Sequence, residues 1–555
     1  MRTDADRESN LPSIEFVHSA NLLLNFRSRR PEPRPARNLV ALGVNPDLLT
    51  REITEGKHQI CVVGLGHVGL PLALLFASEG ANVIGCEREG EYLAMLIQGK
   101  SPIVEHSGQR FADEVLEQSC PNCGVRLLRD AIGSFCPNCM RVAETDYGRV
   151  RLSGESHAIR DRKGVENEVQ LLLSQTAANG KLRLTSGVSQ AVGESDIVVI
   201  CVGTPIDKHR KPDLRALITA SKQIGRGLKA GTIVIVKSTV PPGTTEEIVA
   251  PTLERESGLR AGRDFGLAHV PETTLEGLAL LGYRTLPKTI GGIDRGSSES
   301  AAAVFKVFNT PIFVFESPRI TEAAKLFQNI YRDVNVALAN ELALASESLN
   351  LDITRVIEAA LTEPKTHLLT PGPGVGGYCL PKDTYYLTSS AEHKGYKPRI
   401  LLTARRINDG MPRHVVALLK GAYREARTRT AGSRVAVLGV SFKANTADAR
   451  ESPAFDVIRS LQRMKMKVRV HDPLADMESL PQLRNVELKS NDVGRVLDGA
   501  ESLILITDHL EYRKASGPYL RRLAPSLKVV VDTRHVFSPE EVKAAGLVYR
   551  GVGQR

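Results

Sequence analysis

The stretch Gln59-Ile-Cys-Val-Val-Gly64-Leu-Gly66-His-Val68-Gly69 runs an apolar strand pattern straight into a glycine-rich turn. A helical pattern follows, with Leu72, Leu75 and Phe76 along one face, and then a second strand pattern, Asn82 to Glu87, that closes on an acid. A lone Gly-x-Gly-x-x-Gly says little, but strand, glycines, helix, strand and acid in this order describe a dinucleotide-binding βαβ unit. Gly64, Gly66, Val68 and Gly69 would bring backbone N–H groups and a helix amino end to a pyrophosphate, and Glu87 would take the hydrogen bonds of the adenosine ribose. An acid at that point disfavours a 2′-phosphate, so the cofactor reads as NAD and not NADP.

Outward from this unit the βα pattern continues through Lys181 to Ser186, Asp196 to Gly203 ending in Thr204-Pro205, Thr232 to Thr239, and Phe265 to Val270. Ligands bind at the carboxyl edge of such a sheet, which marks Thr204, Thr239 and the Pro271-Glu272 dipeptide. Glu272 and Glu276 are four apart and share a face if that segment is helical, and Thr244 with Glu247 reads as a capping box. Residues Arg319 to Leu351 form one long helical pattern carrying Lys325 and Asn329 on one side, suited to a spine that also makes a subunit interface, hence a homodimer. A second series, Arg434 to Ser441, Lys467 to His471, Ser502 to Asp508 and Val529 to Asp532, implies another doubly wound sheet without the glycine fingerprint. The fold class is therefore α/β, two Rossmann-like domains joined by a long central helix. The boundaries fall at residues 57–318, 319–427 and 428–555 after a lead-in of 1–56.

Between the two series lies Pro371-Gly-Pro-Gly-Val-Gly376-Gly377-Tyr-Cys379-Leu-Pro-Lys382-Asp383. Four glycines within six residues let a ligand approach closely, and a helix starting after Cys379 would turn Lys382 and Asp383 toward the thiol. A cation to favour thiolate and a carboxylate to handle a proton suggest covalent chemistry at Cys379.

At 555 residues, 42% hydrophobic and 25% charged, the chain has room for two or three full cores. Its apolar runs are of strand length, short of the ~20 residues that cross a bilayer, and no secretory signal pattern is present, so the chain reads as cytoplasmic with no membrane span. A net charge of +10 suits phosphate-bearing small molecules, and the lack of a concentrated basic module argues against nucleic acid. Residues 1 to about 38, rich in Arg, Pro and Ser, read as a mobile extension.

Taken together these motifs resemble the nucleotide-sugar 6-dehydrogenases, the family of UDP-glucose, UDP-N-acetylhexosamine and GDP-mannose dehydrogenases. The similarity runs from about Lys57 to Arg550 and rests on Gly64 to Ala73, Ser238-Thr239-Val-Pro-Pro-Gly, Glu322-x-x-Lys325-x-x-x-Asn329, Gly376-Gly377-Tyr-Cys379-x-x-Lys382-Asp383, Phe442-Lys443-x-Asn-Thr and Asp532-Thr-Arg534. The resemblance implies a four-electron oxidation of a sugar 6-alcohol to a carboxylate with two NAD in succession. In it Cys379 is the nucleophile, Lys325 and Asn329 stabilise oxyanions, Asp383 and Glu272 manage water and proton, and Thr239 orients that water. It further implies that Glu276 lies beside the cofactor, that Lys325, Gly376, Gly377, Lys382 and Lys443 meet the substrate, and that Arg534 reaches the nucleotide region from the last domain. Where UDP-glucose and GDP-mannose members read Asn-Pro-Glu-Phe, this chain has Val270-Pro271-Glu272-Thr273 and a Leu-Glu-Gly continuation, closer to the N-acetylhexosamine branch.

An insertion at about 106–164 interrupts the similarity and carries Cys120-Pro-Asn-Cys123 and Cys136-Pro-Asn-Cys139, twelve residues apart. Two such knuckles can place four thiolates tetrahedrally, which reads as a zinc ribbon with one structural zinc and iron as the alternative. Two other classes fit parts of the chain. A two-electron hydroxyacid-type dehydrogenase leaves Cys379 and the last domain without a use, and a non-catalytic zinc-ribbon adaptor leaves the active-site set unexplained.

Overall fold

The computed structural model describes residues 46–101, 103, 168–273 and 279–554, together with the strands between 114 and 156 as backbone. The extension expected at residues 1 to about 38, Glu276, and Cys120, Cys123 and Cys139 fall outside the described residues, and of Cys136 only its strand is described.

Six parallel strands build the first sheet in the spatial order Leu182–Thr185, Asn82–Cys86, Gln59–Val63, Ile197–Ile200, Ile233–Val236, Gly266–His269. Numbered along the chain this is 3-2-1-4-5-6, with the direction of winding reversing beside Gln59–Val63. The central strands Ile-Val-Val-Ile and Ile-Val-Ile-Val are buried throughout, as strands covered by helices on both faces must be. Lys288–Gly292 then joins antiparallel to Gly266–His269, and Ile312–Phe315 pairs parallel to it. Neither is among the strands expected from the sequence, although Ile312-Phe-Val-Phe315 has the β-branched and aromatic make-up of one. Gly291 and Gly292 are glycines because a Cβ there would lie 2.2 Å from the Ser317 carbonyl oxygen and 2.5 Å from the Ser298 nitrogen.

The second sheet is all parallel and repeats the order: Leu488–Ser490, Lys467–His471, Arg434–Leu438, Ser502–Leu505, Val529–Asp532, Val548–Gly551. Between the sheets in sequence runs a 31-residue helix, Pro318–Ser348. Its burial runs against the usual amphipathic rule. Glu322, Lys325, Asn329, Asp333 and Asn340 face inward, while Phe327, Tyr331, Leu338, Leu342 and Leu349 are exposed. Leu338, Leu342 and Leu349, which fit the apolar periodicity, thus lie outside the core.

The helix expected to start after Cys379 forms as Leu380–His393 and is followed by Ile400–Glu425. Two local readings change. The capping box does not form: Thr244 Oγ1 donates to Pro241 O at 2.6 Å, and the N–H groups of Gly243 and Thr245 are taken by Glu322 of the long helix, at 2.5 and 2.8 Å. A buried carboxylate from a distant element satisfies these helix-start donors better than an exposed one nearby. Glu272 and Thr273 are not helical, and Glu276 lies outside the described residues. Residues 46–54 of the expected lead-in form a helix, with Leu49 and Ile53 buried and Thr50 Oγ1 donating to Ala303 O at 2.9 Å.

In the insertion, five antiparallel strands follow one another as a meander from Glu114–Ser119 to Arg149–Ser156.

Candidate active site

Cys379 caps the amino end of the helix Leu380–His393, and its carbonyl accepts from Lys382 N–H at 3.1 Å and Asp383 N–H at 3.0 Å. Its thiol is exposed, while Lys382 and Asp383 behind it are buried. Asn329 Nδ2 of the long helix donates to Asp383 Oδ2 at 2.6 Å, and Lys382 Nζ lies 3.1 Å from Asp383 Oδ1. Burial alone would lower the Lys382 pKa, but Asp383, Tyr386, Cys379 and Tyr378 lift it above the ordinary lysine value. Its ammonium rests over the rings of Tyr386 and Tyr378, 4.4 and 5.0 Å from their centroids. Lys325 is buried, which lowers its pKa, while the charges of Cys379, Asp383 and Glu272 pull it back upward. The same residue therefore senses the thiol, the helix carboxylate and the first sheet's carboxylate.

Glu272 leaves the carboxyl end of Gly266–His269. Its Oε2 accepts from Tyr283 Oη at 2.7 Å and lies 3.3 Å from Lys237 Nζ. Thr204 Oγ1 donates to Thr239 O at 2.7 Å, tying two strand-end loops together, and Tyr386 Oη donates to Thr204 O from the Cys379 helix. The hydroxyl of Thr204 is thus spent within the chain. Thr239 is half-buried at this edge.

The dinucleotide turn has the geometry its glycines suggest. Gly64 has φ +92°, and a Cβ at Gly69 would lie 1.8 Å from Gly64 O, so the helix can pack on the turn only without one. A Cβ at Gly66 would meet nothing within 4 Å, which leaves that face open to a pyrophosphate. Val68 caps the helix Gly69–Ser78. Half-buried Glu87 accepts from Leu65 N–H at 2.7 Å and Arg88 N–H at 2.9 Å. His67 in the turn has its pKa lowered by desolvation and then by Arg450, with Asp448 opposing, so the turn looks across at the second sheet's first loop. These features fit NAD.

The glycine loop behaves differently from its reading. A Cβ at Gly376 would lie 2.6 Å from Phe442 Cβ and one at Gly377 2.8 Å from the Phe442 ring, while Gly377 N–H donates to Arg450 O at 2.9 Å. The second sheet's first loop occupies that space, so these two glycines dock the Cys379 loop onto the last domain. Arg534, expected at the cofactor, packs on the same loop, with Nη1 2.6 Å from where a Gly372 Cβ would be, and Nε donating to Ile506 O at 3.1 Å. Lys443 is half-buried in the loop that carries Phe442, with its carbonyl taken by Thr446 Oγ1.

Sequence reasoning missed a buried polar network behind the site. Asp333 accepts from Arg405 Nη1 at 2.6 Å and Asn408 Nδ2 at 2.9 Å, and Asn408 Oδ1 accepts from Asn340, whose own Oδ1 takes Gly372 N–H at 2.8 Å. The signal was there: Lys325, Asn329, Asp333 and Asn340 line one face of a helix whose other face is apolar.

A glycine-turn Rossmann sheet, a second sheet of the same winding, and an exposed thiol with buried lysines, a carboxamide and a carboxylate beside it fit a nucleotide-dependent dehydrogenase. The chain belongs to the UDP-glucose/GDP-mannose dehydrogenase family, matching its NAD binding domain over residues 58–120 and 157–309, its central domain over 319–410 and its UDP binding domain over 436–539. It is an NAD-dependent oxidoreductase of nucleotide sugars. UDP-N-acetyl-D-mannosamine dehydrogenase of Pyrococcus horikoshii is 30% identical over 496 residues, 89% of this chain and 99% of the relative. UDP-N-acetyl-D-glucosamine 6-dehydrogenase of Pseudomonas aeruginosa is 33% identical over 382 residues, 68% and 89% of the two chains. Among solved structures, the Pyrococcus horikoshii UDP-N-acetylmannosamine dehydrogenase superposes with a TM-score of 0.71 at 30% identity, covering 89% of this chain and 99% of that one. Among the described residues no helix is long and apolar enough to cross a membrane.

Proposed function

We propose that the chain oxidises the 6-hydroxyl of a UDP-N-acetylhexosamine to the carboxylate in two steps through a covalent bond to Cys379. The observation that carries this is the exposed thiol with Lys325, Lys382, Asn329 and Asp383 gathered behind it. NAD supplies the hydride acceptor, once for each oxidation. In the first, C6 loses a hydride and its hydroxyl a proton, giving an aldehyde. The Cys379 thiolate adds to the aldehyde carbon, and Lys325 and Asn329 hold the oxygen as its charge develops, a contribution of about 3 kcal/mol for one well-placed donor. The thiohemiacetal gives up the second hydride and becomes a thioester, which a free aldehyde could do only after hydration. Water then adds to the thioester carbon, Glu272 and Asp383 take its proton with Thr239 orienting it, and the carbon–sulfur bond breaks to return the thiolate and release the acid.

The substrate reading rests on Val270-Pro271-Glu272-Thr273 and on the N-acetylhexosamine nucleotides named for the relatives. Lys443 and Arg534, on the loops that grip Gly372 to Gly377, are the groups suited to a substrate pyrophosphate. The test is a panel of UDP- and GDP-sugars assayed with NAD, with NADH counted per sugar. The expected result is a higher kcat/KM on a UDP-N-acetylhexosamine than on UDP-glucose, by up to about a hundredfold, since a pocket seldom discriminates more by shape alone. A higher value on UDP-glucose overturns the substrate assignment.

The row Ile320, Phe327, Tyr331, Leu338, Leu342 and Leu349, exposed at spacings of seven and four, supports a homodimer through the long helix. The two sheets and the helices between them support a three-part division at residues 57–318, 319–427 and 428–555. Cys120, Cys123, Cys136 and Cys139 are assigned one structural zinc, since their spacing suits four thiolates and closes the metal to catalysis. Cys61, Cys86, Cys201 and Cys379 are free thiols, in keeping with a reducing, cytoplasmic setting.

A further inference from the structure

Lys237 is the residue in the molecule hardest to explain as packing. It follows Ile233–Val236 directly, is fully buried, and was given no part in the chemistry above. A buried ammonium is costly unless it is paired and hydrogen-bonded. Its Nζ donates to Pro271 O at 3.2 Å, meets Glu272 Oε2 at 3.3 Å, and lies over the rings of Tyr283 and Phe305, 5.0 and 5.4 Å from their centroids. The same oxygen of Glu272 accepts from Tyr283 Oη at 2.7 Å, and that hydroxyl also lies 3.4 Å from Val68 O in the dinucleotide turn. Two donors from the interior of the first domain therefore fix one side of the carboxylate.

Among the described residues, the groups named around Glu272 are basic or neutral. Lys237 and Tyr283 hold Oε2, Lys288 is buried with its ammonium over the Tyr283 ring at 5.5 Å, Lys325 faces it from the long helix, and half-buried Cys201 feels it from the end of Ile197–Ile200. Among these, Lys237 is the one in ion-pair contact with the carboxylate. A carboxylate set among apolar rings and strand ends needs such a partner to stay ionised and aimed.

We propose that Lys237 is a positioning residue, seconded by Tyr283, that keeps Glu272 an ionised, fixed carboxylate able to take the proton of the water that releases the product. This rests on the assignment of Glu272 to proton handling, so the experiment must separate the two.

Lys237→Met keeps the length and the apolar contacts and removes the charge. Its pH profile of kcat is compared with those of wild type, Glu272→Gln and the double variant, each checked for folding by circular dichroism. The expected result is an acid limb displaced upward by about one pH unit, so that kcat falls by up to about tenfold on that limb and recovers at higher pH. The KM for the nucleotide sugar should stay within about twofold, and the double variant should be no slower than Glu272→Gln alone. If Lys237→Met does not fold, Tyr283→Phe removes only the second donor and should shift the same limb in the same direction by less. A folded Lys237→Met with an unmoved pH profile, or losses that multiply with Glu272→Gln, overturns the role of Lys237 while leaving that of Glu272. Full turnover by Glu272→Gln overturns the role of Glu272 itself, and the proposal with it.

Discussion

The two parallel sheets repeat one another closely where their first loops leave the central strand. Gly64 and Gly439 follow those strands with φ of +92° and +87°, and their N–H groups donate to Cys86 O and His471 O, each at 2.8 Å. The next N–H, Leu65 or Val440, donates to the acid ending the second strand, Glu87 at 2.7 Å or Asp472 at 2.8 Å. From there the loops part. Glu87 stays half-buried beside an open Gly66, whereas Asp472 is fully buried and also takes the N–H groups of Ser441, Leu474 and Ala475 and Nε2–H of His509 at 3.2 Å. The first acid is left for a ligand and the second is consumed by its own chain. Strand order alone therefore does not decide what a doubly wound sheet binds; the unspent hydrogen-bonding capacity at its switch point does.

The largest effect that sharpens this contrast is in stability. Asp472→Ala strands His509 and several N–H groups and should cost about 3–5 kcal/mol in denaturant unfolding, with the loss falling on the second domain. Burial alone would raise the Asp472 pKa, but His509 and the N–H groups of Ala475 and Ser441 hold it well below the usual carboxylate range. Its stabilisation is therefore complete above about pH 4 and drains away as pH falls below that, the unfolded chain taking up the proton first. Equal stability of the variant and wild type at pH 7 would break the comparison.

Glu87→Ala should do the reverse, leaving stability within about 1 kcal/mol while weakening NAD, by roughly ten- to a hundredfold for lost charge-assisted hydrogen bonds. Titration of NAD into the two variants separates the sheets: Asp472→Ala should bind it as wild type does under conditions where the variant is folded. A smaller effect concerns Lys288 in the first domain, whose pKa burial lowers to about 7, with Lys237 lowering it further and Glu272 opposing. The unfolded chain holds this proton more tightly, so between about pH 7 and the ordinary lysine value stability rises with pH. Lys288→Met should flatten that rise in thermal melts from pH 7 to 9, and an unchanged slope would count against it.

Much of this was legible because it is local. The glycine turn, the acid ending Asn82–Cys86 and the placement of Lys382 and Asp383 three and four residues after Cys379 are short-range patterns with short-range causes. What escaped depends on distant partners. Glu322 caps a turn 77 and 79 residues away, which no capping-box spacing can reveal. Lys237 sits in an apolar run where a lysine reads as a strand end, and its meaning comes from Glu272 and Tyr283 on later segments. The glycines of the Cys379 loop were visible as glycines, but Phe442, the residue that requires two of them, lies more than sixty positions onward beside the second sheet.

Under the proposed mechanism both oxidations use the one open dinucleotide turn found among the described residues and are joined by the bond to Cys379. Cys379→Ala tests this most directly, by measuring NADH and carboxylate together from a known amount of nucleotide sugar. Wild type should yield two NADH for each acid, and the variant, with NAD affinity nearly intact, should form no acid. Acid at the wild-type rate and stoichiometry from Cys379→Ala would contradict the covalent account.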